Sequence, residues 1–401
     1  MSTVSAPHEA TRFDPDYFPA RLNAPLNAGR YRILRKLGEG VSSSSWVVHD
    51  ENGEPGYKYL AAKILTLDAT QRHRTGQMRE LEFLQEITAQ DDTDYLPLLR
   101  DNFVERGPRG EHLCLLLDLY STSVSALRRS APHKALPPYI VRNIIMMLVE
   151  ALVQLRSLRI VHTDLKLDNL LIGNSLYPSD EDLTRFFETH PVETDGEFEL
   201  DGESYPVLKP QPIPNPYTGD TSAFEAEKMI IYLTDYGQAQ RAGEQPTASL
   251  FGAYALRAPE TILQSDFGPG VDIWAVGCLT FELLVGHWLF NPEEGEDWSL
   301  EDDHLAKMME LTGQRFPPSM LERAKRRKEY FDDAGNLLRI EELIPVSLEG
   351  AMANYKIPGL SEDEIKRAAS FIRSCLRFDY TERATAEELR KHEFLADAFR
   401  C

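Results

Sequence analysis

The chain has 401 residues, 42% of them hydrophobic, and a formal net charge of −21. That length allows one large domain or two lobes, with a sizeable core. The charge argues against direct nucleic-acid binding, because phosphate backbones attract basic surfaces, and it favours basic partners.

No apolar run approaches the roughly 18–20 residues of a membrane helix, and the opening "MSTVSAPHEATRFDPDYFPA" has no basic start before an apolar stretch. Both points read as a cytoplasmic or nuclear protein with no membrane contact. Cys114, Cys278, Cys375 and Cys401 are too irregularly spaced for a zinc signature. Cys114 and Cys278 sit in apolar runs and read as core residues.

Residues 1–30 read as an extended N-terminal arm. "YRILRKLGEG" from Tyr31 alternates apolar and charged residues and ends in glycines, as a strand entering a turn does. "SWVVHD" reads as the returning strand, "ENGEPG" as a turn and "YKYLAAKIL" as a third strand. "TGQMRELEFLQEIT" has helical spacing at Met78, Leu81, Leu84 and Ile87. "HLCLLLDLY" reads as a buried strand. After Ser121 the pattern turns helical, with "YIVRNIIMMLVEALVQLRSLRI", "GVDIWAVGCLTFELLVG", "DEIKRAASFIRSCL" and "TAEELRKHEFL". The second of these is apolar all round and should be a buried core helix.

The expected organisation is therefore α+β. A small antiparallel sheet with one helix (31–120) precedes a larger, mainly helical lobe (121–396). Residues 175–228 are acidic and Pro-rich with little helical period, so they read as an insertion, partly disordered or wrapped on the surface. "RAKRRK" at 323–328 reads either as a solvated helix face or as a nuclear import signal.

Five motifs carry chemistry. In "LGEGVSSSSWVV", Gly38 and Gly40 with Val41 and Ser43 would form a turn whose backbone amides approach phosphates. Hairpins use glycine anyway, and Ser43 and Ser45 degrade the GxGxxGxV pattern. Lys63 in "AAKIL" needs a counter-charge, and Glu80 lies 17 residues on in the following helix. A Lys63–Glu80 pair would hold nucleotide phosphates; an ordinary surface salt bridge is the plain alternative.

"VHTDLKLDNLL" has the spacing H-x-D-x-K-x-x-N. Asp164 would orient an attacking hydroxyl and take its proton, Lys166 would neutralise the transferring phosphoryl, and Asn169 would hold Mg2+. His162 would be structural. In "IYLTDYGQA", Asp235 would chelate Mg2+, Tyr236 would pack beneath the Glu80 helix, and Gly237 would give the turn its freedom. In "LRAPE", Glu260 should pair with Arg383, while Asp272 should bond the amides of the 161–171 loop.

Order, spacing and context together match the protein-kinase signature set, so the chain resembles a eukaryotic-type protein kinase across 31–396. Arg257 before "APE" is similar to the CMGC group. "YFPARLNAPLNAG" before "RYRILRKLGEG", the threonine in "VHTDLKLDN", and "GHWLFNPEEGEDWSLEDDHLAKMMELTGQ" resemble the SR protein kinases. Tyr236 stands where that family has leucine, "APE" where it has "SLE", and Ser45 where an apolar residue roofs the adenine. The chain is thus similar to a divergent member, fungal in look.

The resemblance implies ATP and Mg2+, with the adenine on the backbone of Asp118, Leu119 and Tyr120. It also implies a monomeric serine/threonine kinase acting on basic, Arg-Ser-rich protein segments. Thr163 replaces an arginine that receives an activation-loop phosphate in many kinases, so constitutive activity is expected. The contrasting reading is a pseudokinase scaffold that docks a partner without phosphoryl transfer. A small-molecule kinase is a third, opposed by the "APE" segment and the long helical C-terminal region.

Overall fold

The computed structural model describes residues 14–91, 93–247 and 251–399. The reading of residues 1–30 as an arm, the leader reading and Cys401 fall partly or wholly outside the described residues. The chain divides into two compact units. One comprises Met1–Gln77, Leu98–Tyr120 and Leu176–Pro214; the other comprises Met78–Pro97, Ser121–Ser175 and Asn215–Cys401. The Glu80 helix thus groups with the second unit, and most of the insertion with the first.

The first unit is built on six antiparallel strands: β1 (Pro25–Leu26), β2 (Tyr31–Gly40), β3 (Ser43–Asp50), β4 (Tyr59–Leu65), β5 (Leu99–Gly107) and β6 (Gly110–Asp118), in the order β1-β2-β3-β4-β6-β5. Side chains two apart share a face. Tyr31 and Ile33 of β2, Trp46 and Val48 of β3, and Leu60, Ala62 and Ile64 of β4 accordingly form one apolar cluster. Ala20 and Leu26 from the N-terminal arm complete it. Val47 points the other way, into a second cluster with Leu119.

Of the two readings of the insertion, partly disordered or wrapped on the surface, the second agrees with the structure, in which its 176–214 part is folded against the first unit. Asp180–Thr189 is a helix whose N-cap, Ser179, accepts the Asp182 amide at 3.2 Å. Asp180, Glu181 and Asp182 fill its first turn, where negative charge suits the helix dipole. Its Leu183 and Phe186 are buried, with Ile213, against Val47 and Leu119. Thr194–Leu200 and Glu203–Leu208 pair as a hairpin. The turn residues Asp201 and Gly202 both have positive φ, 52° and 84°, as a two-residue type I′ turn demands.

Polar contacts bind the insertion to the sheet. Gly56 N donates to Asp180 Oδ2 at 2.6 Å, Gln211 N to Lys36 O at 2.8 Å, and Tyr59 Oη meets Thr184 Oγ1 at 2.7 Å. Arg35 bonds His190 O and lies over the Phe186 and Phe187 rings. An acidic, Pro-rich composition hid an amphipathic helix and an Asp-Gly turn.

The second unit is mainly helical. Gly270–Val285 is buried along its length apart from its first residue and ends at Gly286, φ 78°. It packs on Pro138–Ser157 and Glu362–Cys375. At Gly277 an added Cβ would lie 2.7 Å from Cys375 Cβ, so glycine is what lets those two helices approach. Cys114, Cys278 and Cys375 are free and buried, as expected of core residues.

A correction concerns apolar runs. Pro132–Ser157, 26 residues with mean hydropathy 1.5 over its most apolar window, is long and apolar enough to cross a bilayer. Here 67% of that window is buried inside the protein, as in a core helix. The basic run at 323–328 is largely engaged: Arg323 bonds Asp266, Arg326 bonds Glu329 and Ile262 O, and Arg327 bonds Asp333 O.

Candidate active site

Two short antiparallel pairs hold the 161–171 loop at both ends. Ile160–Val161 pairs with Gln240–Arg241, and Leu170–Ile172 with Ile231–Leu233. Between them the chain turns sharply, with Thr163 at φ 67°. Asp272, from the buried helix, accepts the His162 amide at 2.7 Å and the Thr163 amide at 2.8 Å. Burial raises the Asp272 pKa, against the pull of His162 and the two amides. The His162 ring is fully buried and its Nε2 meets Thr234 O at 3.0 Å. These structural roles for Asp272 and His162 are the ones the motifs implied.

Asp164, 8% exposed, stands at the loop's centre. Lys166 Nζ donates to Asp164 Oδ2 at 2.7 Å, and Asn169 Nδ2 donates to Asp164 O at 2.9 Å. The second bond fixes the amide, leaving its oxygen as the acceptor end. Asn169 O accepts the Thr234 amide at 2.8 Å, which sets Asn169 beside the residue preceding Asp235.

Asp235 itself has φ 70°. The sequence reading gave the turn's freedom to Gly237. The left-handed residue is instead Asp235, a strained conformation of the kind held at working sites. An added Cβ at Gly237 would lie 3.4 Å from Asp235 Oδ1 and 3.6 Å from Glu80 Oε2, so the two carboxylates converge there. Glu80 Oε1 accepts the Tyr236 amide at 3.2 Å, and Tyr236 is fully buried, edge-on to His162 at 5.1 Å.

Asn169 and Asp235 thus offer an amide oxygen and a carboxylate from two segments joined by the bond of the Thr234 amide to Asn169 O. Hard oxygen donors suit Mg2+, which usually takes further oxygens from phosphates and water. Among the described residues no group of three or more His, Cys, Asp or Glu could hold a metal alone. Two oxygen donors of this kind fit a magnesium whose other ligands are phosphate and water oxygens.

The first unit carries the other expected residues. Gly38 and Gly40 pair with Ser45 and Ser43, leaving Val41 and Ser42 as the turn. Val41 is 97% exposed, and an added Cβ at either glycine would meet nothing within 4 Å. The turn is thus open for a close approach. Lys63 is buried on β4 between Ser45 and Leu115. Asp118 closes β6 and is bonded by both arms of Arg100, at 2.6 and 2.9 Å. Leu119 and Tyr120 are buried, so the segment offers chiefly its backbone to a base.

The protein kinase domain family matches residues 31–186 and 222–395. The chain belongs to the protein kinase family. The kinase is 28% identical over 392 residues to the serine/threonine-protein kinase SRPK of Physarum polycephalum, covering 95% of this chain and 89% of that protein. It is 24% identical over 462 residues to protein kinase dsk1 of Schizosaccharomyces pombe, covering 95% and 83%. Over 173 residues, 43% of this chain and 23% of that protein, it is 36% identical to the serine/threonine-protein kinase SKY1 of Saccharomyces cerevisiae. A kinase domain solved by crystallography shares its fold, with a TM-score of 0.67 at 21% identity over 95% of this chain and 99% of that one. By family and relatives it is a serine/threonine protein kinase similar to the SR protein kinases, and that family implies ATP and Mg2+.

One ion-pair lattice beside these residues escaped the sequence reading. Arg241 of the kinase bonds Glu82 at 3.0 Å, Glu86 at 2.5 Å and Leu158 O at 2.8 Å, while Arg79 bonds Glu82 and Glu244. This lattice ties the Glu80 helix to the segment after Asp235. Glu82 and Glu86, four apart and so on one helix face, were its only local signal.

Proposed function

We propose that the kinase transfers the γ-phosphoryl of ATP to serine, or threonine, in basic Arg-Ser-rich protein segments. Asp164 orients the acceptor hydroxyl and takes its proton, and Lys166 offsets the charge that develops on the transferring group. Asn169 and Asp235 hold Mg2+, which neutralises phosphate charge when bound. Gly38, Gly40, Val41 and Ser43 cover the phosphates and Lys63, with Glu80 as its counter-charge, steadies them. The backbone of Asp118, Leu119 and Tyr120 takes the adenine. The kinase lobes are 31–120 and 121–396.

The observation that carries this reading is the pre-set Asp164, held by Lys166 and Asn169 on a loop pinned through Asp272. The substrate class draws its support from the net charge of −21 and from the similarity to SR-type kinases. The enzyme acts as a monomer in the cytoplasm or nucleus, on protein and not nucleic acid.

The same geometry supports constitutive activity. Thr163 Oγ1 donates to Gln238 O at 2.7 Å, so the residue standing in the phosphate receptor's place is already engaged. Arg241 holds the Glu80 helix through Glu82 and Glu86.

The test is transfer from labelled ATP to an Arg-Ser repeat peptide and an acidic peptide, before and after phosphatase treatment. Strong labelling of the Arg-Ser peptide that survives phosphatase is expected. Labelling of the acidic peptide alone would overturn the substrate class, and phosphatase sensitivity would overturn constitutive activity.

A further inference from the structure

Residues 14–26 form a strap across the first unit. Near its start Asp16 O accepts the Leu67 amide at 3.0 Å, and Asp16 Oδ1 accepts the Asp68 amide at 3.2 Å. The strap is thereby stapled to the N-terminus of the helix Leu67–Arg74. Further along, Phe18 meets His112 edge-on at 5.4 Å and Ala20 enters the core. Arg21 bonds Glu203 at 2.8 Å and stacks on Tyr205 of the insertion hairpin. Asn23 N donates to Ile33 O at 2.7 Å. Between these fixed points Tyr17 reaches the glycine turn. Its hydroxyl donates to Gly40 O at 2.7 Å and lies 3.3 Å from Val41 O.

We infer that Tyr17 is a positioning residue for ATP: by holding the Gly40 carbonyl, it aims the amide of Val41 at the phosphates. The reason is geometric. In a trans peptide, C=O and the following N–H lie in one plane and point in opposite directions. A carbonyl held from the strap's side turns the next N–H away from the strap. Val41 is exposed to solvent, Ser42 is part-buried with its carbonyl on the Thr66 amide at 3.0 Å, and neither glycine is crowded. The Tyr17 bond to Gly40 O holds the Gly40–Val41 peptide plane from outside the hairpin. Burial, with Glu39, Asp14 and Asp16 nearby, raises the Tyr17 pKa and keeps the hydroxyl a donor.

The inference rests on the kinase reading, and its test separates the two. The full chain, unaltered and as Tyr17→Phe, is titrated with ATP and with adenosine by calorimetry, and steady-state constants are measured alongside. Phenylalanine keeps the ring that packs the strap, so the melting temperature without nucleotide should hold within about 2 °C. Loss of one hydrogen bond of about 1 kcal/mol predicts ATP binding weakened about fivefold. Adenosine, which has no phosphates, should bind within about twofold of the unaltered chain. KM for ATP should rise while kcat at saturation holds. Unchanged ATP affinity, or equal loss for ATP and adenosine, overturns the role of Tyr17. An unaltered chain that binds no ATP overturns the kinase reading first.

Discussion

Two carboxylate–cation pairs lie within the second unit and differ mainly in their surroundings. In Glu260–Arg383 the side chains are 4% and 1% exposed, and Arg383 also bonds Gly270 O and Arg377 O. In Asp164–Lys166 they are 11% and 36% exposed. The first pair is sealed and saturated with partners, so it can do nothing but hold its elements together. The second keeps one member in solvent, where a third charged group can join it. On the proposed function, the difference teaches that burial, rather than chemical type, separates an architectural ion pair from a working one.

The largest expected effect breaks the comparison on its catalytic side. Asp164→Ala should cut phosphoryl transfer by about 10²–10⁴-fold, the range for a positioned general base. The melting temperature should barely move, because the loop stays pinned by Asp272. A variant that unfolds while keeping its specific activity would reverse the assignment of the two pairs.

Glu260→Gln should do the opposite. Removing one charge leaves Arg383 buried and uncompensated, at a cost of about 3–5 kcal/mol. Denaturant unfolding should show the loss, while the folded fraction retains most of its transfer rate. A stable but inactive variant would place Glu260 in the chemistry.

The Arg79–Glu82–Arg241 lattice stands between the extremes, half-exposed and held by several charges. Its bond to Arg79 is the largest reason the Glu82 pKa lies below the ordinary carboxylate range, with Arg241 assisting. A depressed folded pKa stabilises above the unfolded value and is lost as pH falls through the folded one. Activity should therefore fall on acidification in the carboxylate range, and Glu82→Gln should flatten that limb. The effect should be a fraction of a kcal/mol, since Glu82 is 41% exposed and solvent screens it. An identical acid limb in Glu82→Gln would remove the lattice from the account.

Legibility followed the same division. The proposed catalytic loop stood out because phosphoryl transfer demands particular side chains at fixed spacing, and a pairing 123 residues apart, Glu260 with Arg383, came with it. Arg241 could not be read, because a cation that finds carboxylates from a distant helix leaves no local period. The strap's Tyr17 was silent for the same reason. The strand Leu99–Gly107 could not be read, because its part-buried face carries Leu99, Asp101, Phe103, Glu105 and Gly107 and so shows no apolar alternation. At Asp235 the motif named the residue but not its φ, since strain is imposed by neighbours. In the insertion, bulk composition outvoted two real signals, Leu183 with Phe186 and the Asp201-Gly202 turn.

That turn gives the smallest prediction. Gly202 has φ 84°, and an added Cβ would meet nothing within 4 Å, so Gly202→Ala is penalised by backbone conformation alone. The expected cost is about 0.5–1 kcal/mol. It should appear as local opening, because a hairpin can fray below the global unfolding free energy. Limited proteolysis within residues 193–209 should quicken a few-fold, with phosphoryl transfer within about twofold of the unaltered chain. The hairpin's Leu208 lies in one apolar cluster with Trp46, two residues from the Ser44 that faces Glu39 across the glycine hairpin. If transfer fell tenfold on so mild a change, the insertion would be setting that hairpin rather than covering it. It would then stand with Asp164–Lys166 and not with Glu260–Arg383.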